Sequence, residues 1–304
     1  MVERRPWLDV FTHVLLLFSA LALLLPVWLA FVAATHDLAG VNRVPINWLP
    51  GPYLLDNLAA AWQRGSFATR FGTSLIVAVG VTAGKILLAM LAAFALVFFQ
   101  WRAKIVVFWL IFLTLMLPLE VRIVPTYAVA ANALAPFQAI LDATGITTLV
   151  AAVSGIEISL QWQMLNSYAG LILPLIATAT GTFLYRQFFL TIPEELVEAA
   201  KMDGAGPLRF LRDVLVPLSR TTIAALATIL FVYSWNQYLW PLLVTTEPDR
   251  ATVMVELSRM VPRGDSIPDW NVVMAGALLV MLPPLAVVIF MQRWFVRGLV
   301  QTEK

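Results

Sequence analysis

The sequence predicts an all-α membrane protein with six transmembrane helices. Of its 304 residues, 61% are hydrophobic and only 12% are charged, which is far from the average of soluble globular proteins. Several apolar runs reach the length of about twenty residues that a helix needs to cross a bilayer. No stretch of soluble character is long enough for a separate domain, so residues 1–304 are predicted to form one domain.

The first predicted span, at 12–34, follows a basic amino-terminal segment. A cleaved signal peptide has the same order of basic and apolar residues. The apolar run is long, however, and it contains Pro26, Trp28 and Phe31 without a clear cleavage site, so a retained helix is predicted. The polar residues 35–71 that follow predict an external loop.

Five further apolar runs follow, separated by polar or proline-containing segments. Residues 132–163 lie between the third and fourth spans, and their apolar core is too short to cross a bilayer. They predict an external insertion in the form of a helical hairpin or a re-entrant segment. A packing insertion without a special role fits them equally well. The five runs are 72–99, 105–126, 165–188, 218–240 and 272–295.

The distribution of Lys and Arg predicts the orientation of the chain. Six spans place both termini on one side, and these cations are twice as numerous there as on the other side. Cytoplasmic loops carry the excess of positive charge, so both termini are predicted to be cytoplasmic, in the cell inner membrane. The first set is Arg4, Arg5, Arg102, Lys104, Arg186, Lys201, Arg209, Arg212, Arg220, Arg293, Arg297 and Lys304. The second set is Arg43, Arg64, Arg70, Arg250, Arg259 and Arg263.

Composition excludes several classes of function. The chain has no cysteine, which rules out disulfides, thiolate chemistry and cysteine-based metal sites. His13 and His36 are its only histidines, too few for a histidine-rich metal site, so neither a metal nor another cofactor is predicted. A net charge of +2 is too small to suggest nucleic acid as a partner. No catalytic motif is present, and no enzymatic activity is predicted.

A glycine-containing segment of the second span resembles a phosphate-binding loop. It runs from Gly80 to Lys85, but it is one residue short and has Ile86 where Ser or Thr binds magnesium. Nucleotide binding is therefore not predicted here. Gly80 and Gly84 form a Gly-x-x-x-Gly motif, which lets two membrane helices pack closely.

The polar segment 190–217 separates the fourth and fifth spans. Thr191 and Glu194 have the spacing of a capping box, Pro193 fits a first helical turn, and Gly204 suits the left-handed residue that ends a helix. A helix of about three turns outside the membrane is predicted. A solvated loop helix without a partner is the alternative.

Small and charged residues in this helix indicate a contact with another protein. Ala199 and Ala200 leave one face small, so a partner can approach closely. Glu198 and Asp203 place charges at the edge of that face, and Gly204 lets the chain turn without strain.

Three ionisable residues lie at membrane depth. Lys85 is near the middle of the second span, and Glu120 and Arg122 are near the outer end of the third. Charges at this depth are costly and face a cavity or a partner. One interpretation is a Lys–Glu or Arg–Glu pair between helices. The functional hypothesis is that Lys85 or Arg122 lines a translocation path and attracts an anionic substrate.

The end of the fifth span offers further candidates for the path. Asn236 and Tyr238 lie in the stretch Trp-Asn-Gln-Tyr-Leu-Trp-Pro that ends at Pro241. Their polar groups are predicted to face the path. Interhelical hydrogen bonding and an aromatic belt at the membrane interface are the alternative.

The polar segment carries a resemblance to a known family. Glu-Ala-Ala, two residues, Asp-Gly-Ala, and then Phe210 and Pro217-Leu218 resemble the EAA loop of ABC-importer permeases, with Thr221 departing from the second proline of many relatives. The resemblance implies a type I ABC-importer permease fold. It also implies that the helix is the coupling helix seated in a cleft of the ATPase. The implied contacts to the ATPase are Glu198, Ala199, Ala200, Asp203 and Gly204.

Other stretches narrow the resemblance. The stretch ending at Pro241 is similar to one in carbohydrate-importer permeases of the maltose type. Phe112–Ile123, Ser167–Leu171, Phe183–Phe189 and the carboxyl-terminal run from Met291 resemble one subfamily, the second permease of sn-glycerol-3-phosphate importers. The resemblance implies sn-glycerol 3-phosphate as substrate, with glycerophosphodiesters as further substrates. A sugar such as maltose or trehalose is the alternative.

The resemblance also implies an assembly. Its members are a second, different permease, two copies of an ATP-binding subunit that hydrolyses ATP, and a periplasmic solute-binding protein, all around a chain embedded in the lipid bilayer. A membrane scaffold or a channel is the rival class. The EAA loop and the lack of a filter-like ring motif argue against it.

Overall fold

The computed structural model describes residues 6–117, 119–261 and 268–300, and every regular element within these ranges is helical. The helices are α1 (Pro6–Ala34), α2 (Leu38–Val41), α3 (Leu54–Arg64), α4 (Phe67–Phe98), α5 (Lys104–Met116), α6 (Leu119–Ala131), α7 (Ala135–Ala143), α8 (Ile146–Ser154), α9 (Tyr168–Ile172), α10 (Ala179–Phe189), α11 (Glu194–Met202), α12 (Pro207–Phe210), α13 (Val216–Leu218), α14 (Arg220–Trp235), α15 (Leu239–Val244), α16 (Val253–Arg259) and α17 (Trp270–Val300). Short 3-10 turns lie at Leu173–Leu175 and Pro248–Arg250, and a π-helical turn at Leu211–Leu215 joins α12 to α13.

The chain divides into two compact units. One comprises Met1–Arg70 with Val253–Pro283, and the other comprises Phe71–Thr252 with Pro284–Lys304. In the first unit, Asn271 donates a hydrogen bond from Nδ2 to Asn57 Oδ1 at 2.8 Å, which joins α17 to α3. The second unit contains the polar segment and every candidate path residue.

Three helices are each long and apolar enough to cross a membrane. They are α1, α4 and α17, and they lie over the predicted first, second and sixth spans. Three pairs of shorter helices pass the same test together but are bent at a short break. They are Val121–Ala131 with Ala135–Ala143, bent by 72°, Tyr168–Leu175 with Ala179–Phe189, bent by 47°, and Pro207–Leu218 with Arg220–Trp235, bent by 76°. By length and composition, three helices within the described residues can therefore span, or up to six when each bent pair is one span.

The predicted third span, 105–126, is not one continuous helix. The helix α5 ends at Met116, and Leu117 has an extended backbone with φ −82° and ψ 118°. Pro118 follows, and a residue before proline is disfavoured in the helical conformation. Helix α6 then runs on to Ala131, beyond the predicted end of the span.

The predicted fourth span, 165–188, is also interrupted. The first part ends with the 3-10 turn at Leu175, and α10 begins at Ala179 after a bend of 47°. Pro174 removes a backbone donor from the first part. Residues 176–178 are therefore non-helical, in the middle of the predicted span.

The predicted fifth span, 218–240, begins at a bend and passes over a break. Residues Pro207–Leu218 and helix α14 meet at 76°. Helix α14 ends at Trp235, and residues 236–238 separate it from α15.

The two glycines of the second span confirm the predicted close packing. A Cβ atom at Gly80 would lie 2.8 Å from Ile172 Cδ1, and a Cβ at Gly84 would collide with Ile176. Real Cβ atoms do not approach that closely, so these glycines let α4 lie near the end of α9 and the residues that follow it, and the constraint is strictest at Gly84.

Residues 132–163 contain a helical hairpin made of α7 and α8. The turn between them contains Gly145, whose φ of +74° suits glycine. Gln138 holds the base of the hairpin, because its Nε2 donates to Ile158 O at 3.1 Å and its Oε1 accepts from the Leu160 amide at 2.8 Å. The external position of the hairpin stays a prediction.

Candidate functional site

A cleft of about 630 Å³ opens among α4, α5, α6, α10 and α14. Most of its lining is apolar or small. Lys85 from α4 and Arg122 from α6 carry the positive charge, so we call it the cationic cleft. Thr114 of α5, threonines of the α10 segment and Tyr233 of α14 also belong to its polar lining.

Lys85 is a buried cation at the middle of α4. The residue is only 7% exposed, although its surroundings are mainly apolar. Its Nζ lies 4.4 Å from the centre of the Tyr233 ring, a distance at which the negative ring face attracts a cation. Among the described side chains, no carboxylate lies within 4.0 Å of Lys85.

The structure brings two of the predicted path residues together. Arg122 lines the same cleft as Lys85, and no described carboxylate pairs with it. Glu120 belongs to α6, but its side chain lies outside the described residues. Two cations on one cleft with low-dielectric walls concentrate positive potential inside it, and this favours an anionic occupant.

The structure does not bring Asn236 and Tyr238 to the cationic cleft. Asn236 is exposed after the last turn of α14, where its amide donates to Val232 O at 3.1 Å, and Tyr238 is half-buried before α15. Neither is among the residues that line the cleft. Tyr233, which the sequence analysis did not select, is the aromatic residue that α14 contributes. Helical periodicity puts it on the same face of α14 as Ile229 and Leu230, but only the structure shows that this face lines the cleft.

The interrupted fourth span also contributes residues that the sequence analysis missed. Ala177, Thr178, Ala179, Thr180 and Thr182 all line the cleft. These residues could have been predicted from the sequence, because Pro174 is followed by three threonines at alternate positions, 178, 180 and 182. That pattern indicates a break and a helix start inside an apolar run.

The polar segment contains the predicted helix, α11. Its end confirms the interpretation of Gly204, which has φ +70° and follows the last helical turn. The Gly204 amide donates to Lys201 O at 3.0 Å, and the Ala205 amide donates to Ala200 O at 2.9 Å. This pair of bonds is a Schellman motif, which satisfies two of the free carbonyl groups.

The predicted start of this helix is wrong. Thr191 is not the capping residue, because its hydroxyl donates to Phe188 O at 2.7 Å. Pro193, with φ −60° and ψ 139°, precedes the first helical residue, Glu194, and provides no side-chain cap. The extended backbone at Pro193 places the helix start two residues beyond the position that a Thr191 cap requires.

Ala199 and Ala200, predicted to leave one face of this helix small, differ in their exposure. Ala200 is buried, and it packs in a cluster that includes Phe94 and Phe210 of the same chain. Val197, three residues earlier, packs against the same cluster, as helical periodicity requires. Ala199 is exposed on the opposite side of α11.

The exposed side of the polar segment combines carboxylates with large apolar side chains. Glu198 and Asp203 are both exposed. Leu196 is 40%, Met202 84% and Leu208 74% exposed. Large apolar side chains grouped on a polar surface are typical of a protein interface. We call these residues, together with Ala199, the α11 surface.

The chain matches known transport proteins over most of its length. Residues 85–301 match the family described as "Binding-protein-dependent transport system inner membrane component". The chain is 45% identical over 310 residues to the sn-glycerol-3-phosphate transport system permease protein UgpE of Escherichia coli K12. It is 44% identical to the UgpE protein of Yersinia enterocolitica. Both alignments cover 100% of this chain and of the relative.

A solved structure has a similar fold. It is described as the crystal structure of a bacterial ABC transporter involved in the import of the acidic polysaccharide alginate. The matched chain superposes with a TM-score of 0.75 at 19% sequence identity, and the match covers 95% of this chain and 96% of that chain. At this identity the likeness concerns the fold alone.

Proposed function

Because the chain belongs to the family of binding-protein-dependent transport system inner membrane components, we propose that it forms half of the translocation path of an ATP-driven importer for sn-glycerol 3-phosphate. The family membership establishes an inner-membrane permease with the all-α permease fold predicted from the sequence. The substrate assignment is our proposal, and glycerophosphodiesters are proposed as further substrates.

The cationic cleft is the observation that supports this substrate assignment. Lys85 and Arg122 line one cleft, and no described carboxylate neutralises either of them. A phosphate monoester supplies a negative charge that the described residues of this site do not provide, whereas a neutral sugar supplies none. The 45% identity to sn-glycerol-3-phosphate permeases over the full chain supports the same substrate.

We propose six spans with both termini in the cytoplasm, where the excess of Lys and Arg lies. Each interrupted span then crosses the membrane as two helical segments. Non-helical backbone at membrane depth is tolerated where it lines a cavity, and residues 177 and 178 line the cationic cleft.

The α11 surface is proposed to contact the ATPase. The exposed residues Glu198, Ala199 and Asp203 keep this role in the proposal, and Gly204 shapes the turn behind them. Ala200 acts indirectly, because it anchors α11 to its own chain. The further proposed partners are a second, different permease, two copies of the ATP-binding subunit and a periplasmic solute-binding protein. Movement of α11 by the ATPase would shift the path between its two orientations.

Uptake of labelled sn-glycerol 3-phosphate tests the proposed substrate. Cells that lack this chain would be compared with the same cells after the chain is restored together with its partner subunits. We expect uptake that depends on the chain, is inhibited by glycerophosphocholine and is unaffected by maltose. Loss of sugar uptake without loss of sn-glycerol 3-phosphate uptake would retain the permease and overturn the substrate.

A further inference from the structure

The start of α10 lies beside Lys85 in the cationic cleft. Ala179 and Thr180 form the first turn of this helix, and both line the cleft. A Cβ atom added to Gly181 would lie 2.9 Å from Cβ of Ala89, so this turn packs directly on α4. Ala89 is one helical turn after Lys85, on the same side of α4, and it lines the same cleft.

The first two amide groups of this turn have no acceptor among the described residues. The first residues of a helix have no intrahelical partner for their amide hydrogens. Thr178 accepts from the amide of Gly181 at a long 3.4 Å, which uses the third amide of the turn. The amides of Ala179 and Thr180 have no such partner within the described part of the chain.

These groups complement a phosphate group. Helix α10 has eleven residues, and the positive end of its dipole lies at the cleft. Lys85 is more than nine-tenths buried, lines the same cleft and has no described counter-ion, so a charged donor lines the same space as these amides. Backbone amides at a helix start and a nearby ammonium group together form a common type of phosphate site.

We propose that the interrupted fourth span holds the phosphate group of the substrate. The amides of Ala179 and Thr180 and the hydroxyl of Thr178 donate to its oxygens, while the Lys85 ammonium supplies the counter-charge. Arg122 attracts the same anion from the other wall of the cleft. This site rests on the proposed function, since it names the contacts of that substrate in this chain.

The backbone around Ala179 permits a test of a single amide. Thr178 has φ −143° and ψ 117°, the extended conformation that a residue before proline adopts. Proline is also favoured at the first position of a helix, so Ala179→Pro removes one amide hydrogen without disturbing the helix. Ala179→Val adds comparable bulk at the same place and keeps the amide.

The experiment compares these two variants in the complete importer. Labelled sn-glycerol 3-phosphate uptake would be measured at a series of concentrations, together with recovery of each variant in the membrane complex. We expect Ala179→Pro to need about tenfold more substrate for half-maximal uptake than Ala179→Val, because a hydrogen bond to a charged group is lost. Equal values for the two variants would overturn the site.

A second pair of variants tests the same site if the Ala179→Pro chain does not assemble into the importer. Thr178→Val removes the hydroxyl, and Thr178→Ser retains it. We expect uptake by Thr178→Val to fall severalfold below that of Thr178→Ser, and equal uptake would overturn the site. Failure of the wild-type chain to transport sn-glycerol 3-phosphate would instead count against the proposed function itself.

Competition by inorganic phosphate tests whether this turn binds the phosphate group or another part of the substrate. As a competitor, inorganic phosphate shares the phosphate oxygens but lacks the glycerol part. We expect it to inhibit uptake by the Ala179→Val importer at concentrations at least severalfold lower than those needed with Ala179→Pro. The same inhibition of both variants would argue that this turn does not hold the phosphate group.

Discussion

The cationic cleft and the α11 surface both carry charge, but in opposite surroundings. In the cleft, Lys85 is buried without a described counter-ion. On the α11 surface, Glu198 and Asp203 are exposed and already solvated. A buried charge without a counter-ion is costly and therefore strongly favours an anion, whereas an exposed charge gains little from a single ion pair.

The two regions also differ in how they are built. Residues of the α11 surface are close together in sequence, because they lie on α11, on the residue that caps it and on α12 directly after it. The cationic cleft combines residues from five helices, separated by up to 148 positions between Lys85 and Tyr233 (233 − 85). Substitutions in the cleft should therefore alter the handling of substrate, and substitutions on the α11 surface should alter coupling to the ATPase.

The largest effect is expected for Lys85→Met. Removal of the buried ammonium should weaken uptake of sn-glycerol 3-phosphate by about ten- to a hundredfold, which corresponds to the loss of a charge-assisted hydrogen bond worth about 1.5–3 kcal/mol. Uptake assays in cells with the complete importer measure this. The matched control is Lys104→Met, because Lys104 lies at the start of α5 and does not line the cleft. Equal uptake by both variants would contradict the proposal that Lys85 lines the path.

The pair Ala200→Leu and Ala199→Leu distinguishes the two sides of α11. Leucine at Ala200 must enter the cluster with Phe94 and Phe210, and overpacking of this kind costs about 1–3 kcal/mol. We expect a lower melting temperature for the Ala200→Leu chain, while Ala199→Leu retains stability but recovers less ATPase on purification. Destabilisation by Ala199→Leu alone would reverse the assignment of the two sides.

Gly204→Val tests the turn behind α11. A Cβ atom at Gly204 meets nothing within 4 Å, so the effect arises from φ +70°, at a cost of about 1–2 kcal/mol. We expect uptake per ATP hydrolysed to fall although the chain still inserts. Gly206→Val is the matched control, since Gly206 has φ −70° and equally open space. The role assigned to the turn would be contradicted if both valine variants coupled equally well.

The smallest effect is expected for Tyr233→Leu. The Tyr233 ring stabilises the Lys85 ammonium by about 0.5–2 kcal/mol, and leucine lacks the negative ring face. The substrate concentration for half-maximal uptake should therefore change severalfold, and more for Tyr233→Leu than for Tyr233→Phe, which keeps the ring. If the phenylalanine variant were as impaired as the leucine variant, the hydroxyl and not the ring would be responsible.

Local sequence determined much of this protein. The length of the apolar runs predicted α1, α4 and α17, because a helix that crosses a bilayer needs about twenty apolar residues. Gly204 predicted the left-handed end of α11, since only glycine adopts that conformation without strain. Gly80 and Gly84 predicted a close helix contact for a similar steric reason. The stretch around Glu-Ala-Ala predicted the permease family, which the family match confirms.

Tertiary structure alone decided which residues share a site. The sequence placed Lys85 and Arg122 at membrane depth, but it also allowed Asn236 and Tyr238 on the path, and these lie away from the cleft. It did not place Tyr233 over Lys85 or the start of α10 beside them. Helical periodicity fixes the side of a helix on which a residue lies, whereas the neighbouring helix on that side depends on packing between distant segments. For the same reason, only packing decided that Ala200 faces its own chain while Ala199 faces outward.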